Sequence, residues 1–219
     1  MLETIGADHF EHRLIDLSDK PDDFLEKYRL AAGSPVASGM VPLLEHQEQL
    51  VIESDVVAKY VAQNVGENDG MYPATTNPEA CQTIDQFLST WYPIVDKYYD
   101  LLCAGSVQSA KKRQEIFADS LSVLESQLLD DGFLLGDTFS LAECICAPWV
   151  QRFFVTLPYF RGIDFQEQIL SPYPNVARWM AAVSSRPSVL ESKCDEEEML
   201  NAARRYYVSF VSPDAPGRL

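Results

Sequence analysis

The sequence predicts an α+β chain of two domains, a small mixed domain followed by an all-helical one. Three observations carry this. Two short apolar runs, residues 40–44 and 50–52, flank the polar tetrapeptide His46-Gln47-Glu48-Gln49 and lead straight into a helical pattern, which reads as a hairpin and a helix. From Gly66 to Asn77 the composition turns to Gly, Asn, Asp, Pro and Thr, the mark of a domain boundary. Beyond it, apolar residues recur at three- and four-residue spacing through long stretches. The expected division is a first domain over 1–66, a linker over 67–76 and a helical domain over 77–219.

Taken in order, residues 1–11 look like the tail of a helix closed by Gly6, and residues 12–17 alternate loosely as a strand would. Ser18-Asp19-Lys20-Pro21 starts a helix, with Asp22 and Asp23 placed to favour its dipole and Phe24, Leu25 and Tyr28 on its apolar side. Residues 31–39 read as a loop before the hairpin. Pro42 lies inside a strand-like run, so it predicts a bend whose backbone groups the sheet does not all use. Glu53-Ser54 falls where a strand ends and a helix begins. Val56, Val57, Tyr60, Val61 and Asn64 follow the spacing of one face of that helix. Free N–H groups and the positive end of the dipole favour a bound carboxylate there. A bend and a helix start, joined by a short hairpin, make a site for a small peptide-like anion.

In the second half, Asn77-Pro78-Glu79 opens a helix that Pro93 should kink. A second helix is expected over 106–129, with Phe117, Leu121, Leu124 and Leu128 inward. Ser140 and Glu143 form a capping box. The helix after it, expected over 141–154, is apolar almost all round and should be the most buried. The box is a folding signal and nothing more.

A net charge of −16 disfavours nucleic acid and anionic membrane surfaces as partners, although solubility alone would account for it. Five cysteines form an odd set without a C-x-x-C; Cys144 and Cys146 point to different faces of one helix and make a poor chelate, so no metal is expected. Buried free thiols suit a reducing compartment. The first residues carry neither a basic leader nor a long apolar run, and the cytoplasm is the expected location.

Val41-Pro42 and Glu53-Ser54 resemble the V-P and E-S of the thioredoxin-like half of the glutathione transferases. Leu135-Gly136-Asp137-Thr138-Phe139-Ser140-Leu141-Ala142-Glu143, followed by Ala147-Pro148-Trp149 and Arg152, resembles that family's all-helical second domain. Asp19-Lys20-Pro21 and Glu45-His46 look most like the omega and lambda classes, which use a cysteine. The resemblance covers nearly the whole chain. It implies a partial thioredoxin-like domain before the helical one, with Val41-Pro42 cis. It also implies that Lys20, Val41, Pro42, Glu53 and Ser54 bind glutathione as a substrate, while Arg152 lines the pocket for a second substrate, a small electrophile or disulfide. A homodimer is part of the same expectation.

Local alternatives stand beside these roles. Lys20 would serve equally as a solvated surface lysine, Ser54 as a plain helix cap, and Arg152 as a buried arginine paired with a helix terminus. The chain also departs from the family at its front. The family's first strand, and the helix turn that carries its nucleophile, have no counterpart before Leu2-Glu3-Thr4-Ile5-Gly6-Ala7, so the chain is expected to be amino-terminally truncated. Glutathione-dependent thiol transfer or dehydroascorbate reduction, which relatives perform, is expected to be impaired. The alternative is a non-catalytic binding or assembly module.

Overall fold

The computed structural model of the chain describes residues 1–65, 70–128 and 132–206. Part of the expected linker (67–69), the last residue of the expected second helix and the final segment of the helical domain lie outside the described residues. The chain divides into two compact units, Met1–Asn77 and Pro78–Leu219.

In the first unit, α1 (Leu2–Ile5) ends at Gly6, whose φ of 75° is open to glycine and rarely to other residues. Residues 12–17 form no strand. They have no ladder partner among the described residues, and Leu14 is 84% exposed. Alternation alone does not make a strand when no neighbour supplies hydrogen bonds. The segment is held instead by Arg13, whose Nη1 lies 2.7 Å from Oδ2 of Asp23 on α2 (Asp22–Ala32). The hydrogen bond from Arg13 holds the Asp23 carboxyl below the usual carboxylate range. Its tether is therefore complete above the usual carboxylate range and is lost only as pH falls through the lowered value beneath it.

Phe24 and Tyr28 are buried on α2, as their spacing predicts, and Gly33 closes the helix in the left-handed conformation. Strands β1 (Leu43–His46) and β2 (Gln49–Ile52) pair antiparallel, with His46 opposite Gln49. The loop is therefore two residues, not four. Gln47 at its head has φ 55°, the positive value such tight hairpins use. Helix α3 (Ser54–Asn64) follows, and α2 and α3 both pack against β2. The expected inner face of α3 is shifted: Val61 and Ala62 are buried, whereas Asn64 is exposed and Val56 is 54% exposed.

The described elements of the second unit are helical. Its first helix, α4 (Pro78–Leu102), runs on through Pro93 and buries Ile84, Phe87, Trp91, Ile94, Tyr98 and Leu101. The expected second helix is two, α5 (Val107–Ser120) and α6 (Ser122–Gln127), interrupted at Leu121. Ser120 and Ser122 donate their hydroxyls to the carbonyls of Phe117 and Asp119, three residues back, in competition with the helix ladder. The predicted inward residues Phe117, Leu121, Leu124 and Leu128 are all buried.

Helix α7 (Leu141–Arg161) passes two internal prolines and extends a further seven residues or so beyond its expected end, stopping where Gly162 takes φ 68°. Its packing against α4, with Phe153, Leu157 and Phe160 fully buried, offsets what the prolines cost. Tyr98 of α4 meets Thr156 of α7 at 2.8 Å; since Thr156 already donates to the Arg152 carbonyl, Tyr98 is the donor. Helices α8 (Pro174–Ser185), α9 (Pro187–Glu191) and α10 (Glu196–Tyr206) follow.

Carboxylates hold several of the helix starts in this unit. Ser140 and Glu143 form the expected capping box at α7. Glu143 does more than cap. Its Oε2 accepts from Ser140 N and Oγ at 2.9 and 2.6 Å, and its Oε1 accepts from Leu134 N at 2.8 Å and Trp179 Nε1 at 2.9 Å. Replacing Ser140 by Ala should cost about 0.5–2 kcal/mol, readable as a lower thermal midpoint. On α6, Glu125 accepts from the Asn175 and Val176 N–H groups at 3.1 and 2.9 Å, so a side chain remote in sequence caps α8. Glu125→Ala should destabilise by about 1–3 kcal/mol in chemical denaturation, because two helix-start donors lose their acceptor.

Candidate functional site

Four of the expected site residues lie at the open end of the hairpin. Leu43 and Ile52 form the last pair of the ladder, and the chain runs on from them into Val41-Pro42 on one side and Glu53-Ser54 on the other. The Val41–Pro42 peptide bond is cis, as the resemblance implies. Val41 is 47% exposed, and among the described residues no backbone hydrogen bond uses its N–H or carbonyl. A short extended ligand can therefore pair with it as an added strand would.

Directly after β2 comes the start of α3. Glu53 is its N-cap, with φ 71° and ψ 125°, a conformation that a residue with a Cβ adopts at a cost. No side chain caps this terminus. The first intrahelical bond is Val57 N to Glu53 O at 2.8 Å, which leaves the Ser54, Asp55 and Val56 N–H groups without an intrahelical acceptor. Ser54 is thus the first helical residue, not the N-cap, and its hydroxyl is exposed. An open terminus with a hydroxyl beside it suits a carboxylate, and the exposed Glu53 carboxylate suits an ammonium.

Lys20 is half-buried, and its Nζ donates to the Ser38 carbonyl at 2.8 Å, so it is not a solvated lysine. Arg152 belongs to the other unit. Its Nη1 donates to Pro148 O at 2.9 Å and its guanidinium lies 4.8 Å from the Trp149 ring centroid. The buried arginine at a helix terminus is a different one. Arg161 is fully buried, and its Nε donates at 3.1 Å to the Leu102 carbonyl at the end of α4, with Nη2 on the same oxygen. Sequence reasoning missed it; its place in the last turn before Gly162 was the available signal.

All five cysteines lie in the second unit. Cys81 and Cys146 are buried. Burial pushes the Cys103 and Cys194 thiols up, leaving less thiolate at neutral pH than an ordinary cysteine has. Among the described residues no group of His, Cys, Asp and Glu is placed to hold a metal ion, and no helix is long and apolar enough to cross a membrane.

Residues 107–182 match the model of the glutathione S-transferase C-terminal domain, a span that runs from the start of α5 into α8 and contains the Ser140–Glu143 box. The chain is related to the glutathione transferases. Glutathione S-transferase omega-1 of Mus musculus is 28% identical over 228 residues, covering 98% of this chain and 81% of its own. Glutathione S-transferase DHAR3, chloroplastic, of Arabidopsis thaliana is 23% identical over 192 residues, which cover 87% of this chain. That alignment spans 65% of the plant protein's length. The crystal structure of glutathione transferase Omega 3C from Trametes versicolor superposes with a TM-score of 0.73 at 20% identity, over 90% of this chain and 79% of its own. At that identity the structure supports the fold: a glutathione transferase architecture, with a thioredoxin-like first unit that includes α2, the hairpin and α3, and a helical second unit.

Proposed function

We propose that the chain binds glutathione in its first unit, as an omega- or lambda-like glutathione transferase relative. The observation that carries this is that the unused Val41 backbone and the uncapped start of α3 flank the last pair of one hairpin, Leu43–Ile52. The cysteinyl part of the tripeptide pairs with Val41 beside Pro42, its γ-glutamyl carboxylate sits on Ser54 and the neighbouring N–H groups, and its ammonium faces Glu53. Asp55, in the first turn, opposes the carboxylate and moderates the affinity. Kinship alone extends this reading to a small electrophile or disulfide as second substrate beside Arg152, to a cytoplasmic setting and to a homodimer.

Holding glutathione and turning it over are separate capacities here. The first unit contains no cysteine, so within these 219 residues nothing in it offers a thiolate to the tripeptide's sulfur. A binding role without thiol transfer is the second reading, and the cysteine placement favours it. Isothermal titration of the 219-residue protein with glutathione tests the site. Binding should weaken about tenfold in Ser54→Ala, the loss of one hydrogen bond to a charged group. Equal affinity in the wild type and Ser54→Ala would contradict the placement.

A further inference from the structure

The backbone that would receive glutathione is held in place by α2 and by Lys20 just before it. Arg29 Nε donates to the Ala37 carbonyl at 3.4 Å, and Lys20 Nζ donates to the Ser38 carbonyl at 2.8 Å. Between these ties and Val41 lies Gly39, which is buried with φ 71°. A Cβ there would lie 2.8 Å from Leu25 Cδ2 and 3.0 Å from Phe24 Cε1, both on α2. The lysine's own stem closes the third side, with its Cδ 3.7 Å from that position. Only a residue without a side chain both fits this contact and takes this backbone angle. The chain at 37–39 is therefore pressed against α2 and pinned by two cationic side chains, two residues before Val41.

We infer that Lys20 is a positioning residue for the glutathione site: it acts through the Ser38 carbonyl, with Gly39 as the wedge, to hold the Val41 backbone in line for the ligand. This rests on the glutathione reading above. It assigns Lys20 a role other than contact with the ligand's glycine carboxylate. A charge-assisted bond to a carbonyl fixes the loop whether or not a ligand is present. Gly39→Ala should disturb the same loop without touching any charge.

The test compares glutathione with γ-glutamylcysteine, which lacks the glycine, on the wild type, Lys20→Met, Lys20→Arg and Gly39→Ala. If Lys20 positions the loop, Lys20→Met weakens both ligands by the same factor, about tenfold. Gly39→Ala then does likewise, and Lys20→Arg restores much of the loss for both. If Lys20 touches the glycine carboxylate, the loss appears with glutathione and vanishes with γ-glutamylcysteine, which overturns the inference. Amide exchange at residues 38–41 is read in the same proteins without ligand. It should quicken in Lys20→Met and Gly39→Ala, and unchanged exchange in both variants also overturns the inference. A wild type that binds neither ligand sinks the glutathione reading, while the exchange data still decide whether Lys20 holds the loop.

Discussion

Replacing Glu143 by Leu is expected to abolish the cooperative melt of the helical unit. The carboxylate is fully buried and accepts from Ser140 N, Ser140 Oγ, Leu134 N and Trp179 Nε1. The Ser140 hydroxyl can turn to another partner, but three N–H donors would remain in the interior without an acceptor. At about 1–3 kcal/mol for each, the loss is about 3–9 kcal/mol, much of the 5–15 or so that holds a domain together. Glu143→Asp should fall between. Its shorter side chain keeps the cap on Ser140 but gives up reach toward Leu134 and Trp179. Thermal melts of the two variants read this directly, and a Glu143→Leu protein melting within a few degrees of the wild type would contradict it.

Glutathione-dependent disulfide exchange by the 219-residue protein is expected to stay at the uncatalysed background. The thiolate is the attacking species, and it forms readily where a helix start or a cation lowers the thiol's pKa. The first unit, which carries Val41 and the start of α3, contains no cysteine. Cys103 and Cys194, the two exposed thiols, are pushed toward the protonated form by burial around the sulfur. Cys144 is half-buried and follows the acidic Glu143 in sequence. Turnover that survives replacing each of the five cysteines would require a different nucleophile and would contradict this expectation.

What the sequence made legible was local. The hairpin, the Glu53-Ser54 junction, the Ser140–Glu143 box and the inward residues of α4 through α7 all follow from spacing within a few residues. What it hid was tertiary. Residues 12–17 carry a strand-like pattern, yet a strand needs a neighbour, which no local pattern reports. The helix expected over 141–154 runs on past Pro158 to Arg161, because burial against α4 sustains it as far as Gly162. Glu125 on α8, Arg161 on Leu102 and Lys20 on Ser38 are side chains serving backbone groups 18 to 59 residues away. Glu143 shows both sides at once. Its bond to Ser140 was readable as a box, whereas its bond to Trp179, 36 residues on, was not.

The most direct measurement is a glutathione titration followed by backbone amide resonances of the 219-residue protein. The proposed site predicts saturable shifts at Val41 and at Ser54, Asp55 and Val56, the open N–H groups of α3, and their loss when the γ-glutamyl carboxylate is removed from the ligand. Shifts confined to the helical unit, or none at any glutathione concentration, would contradict the account.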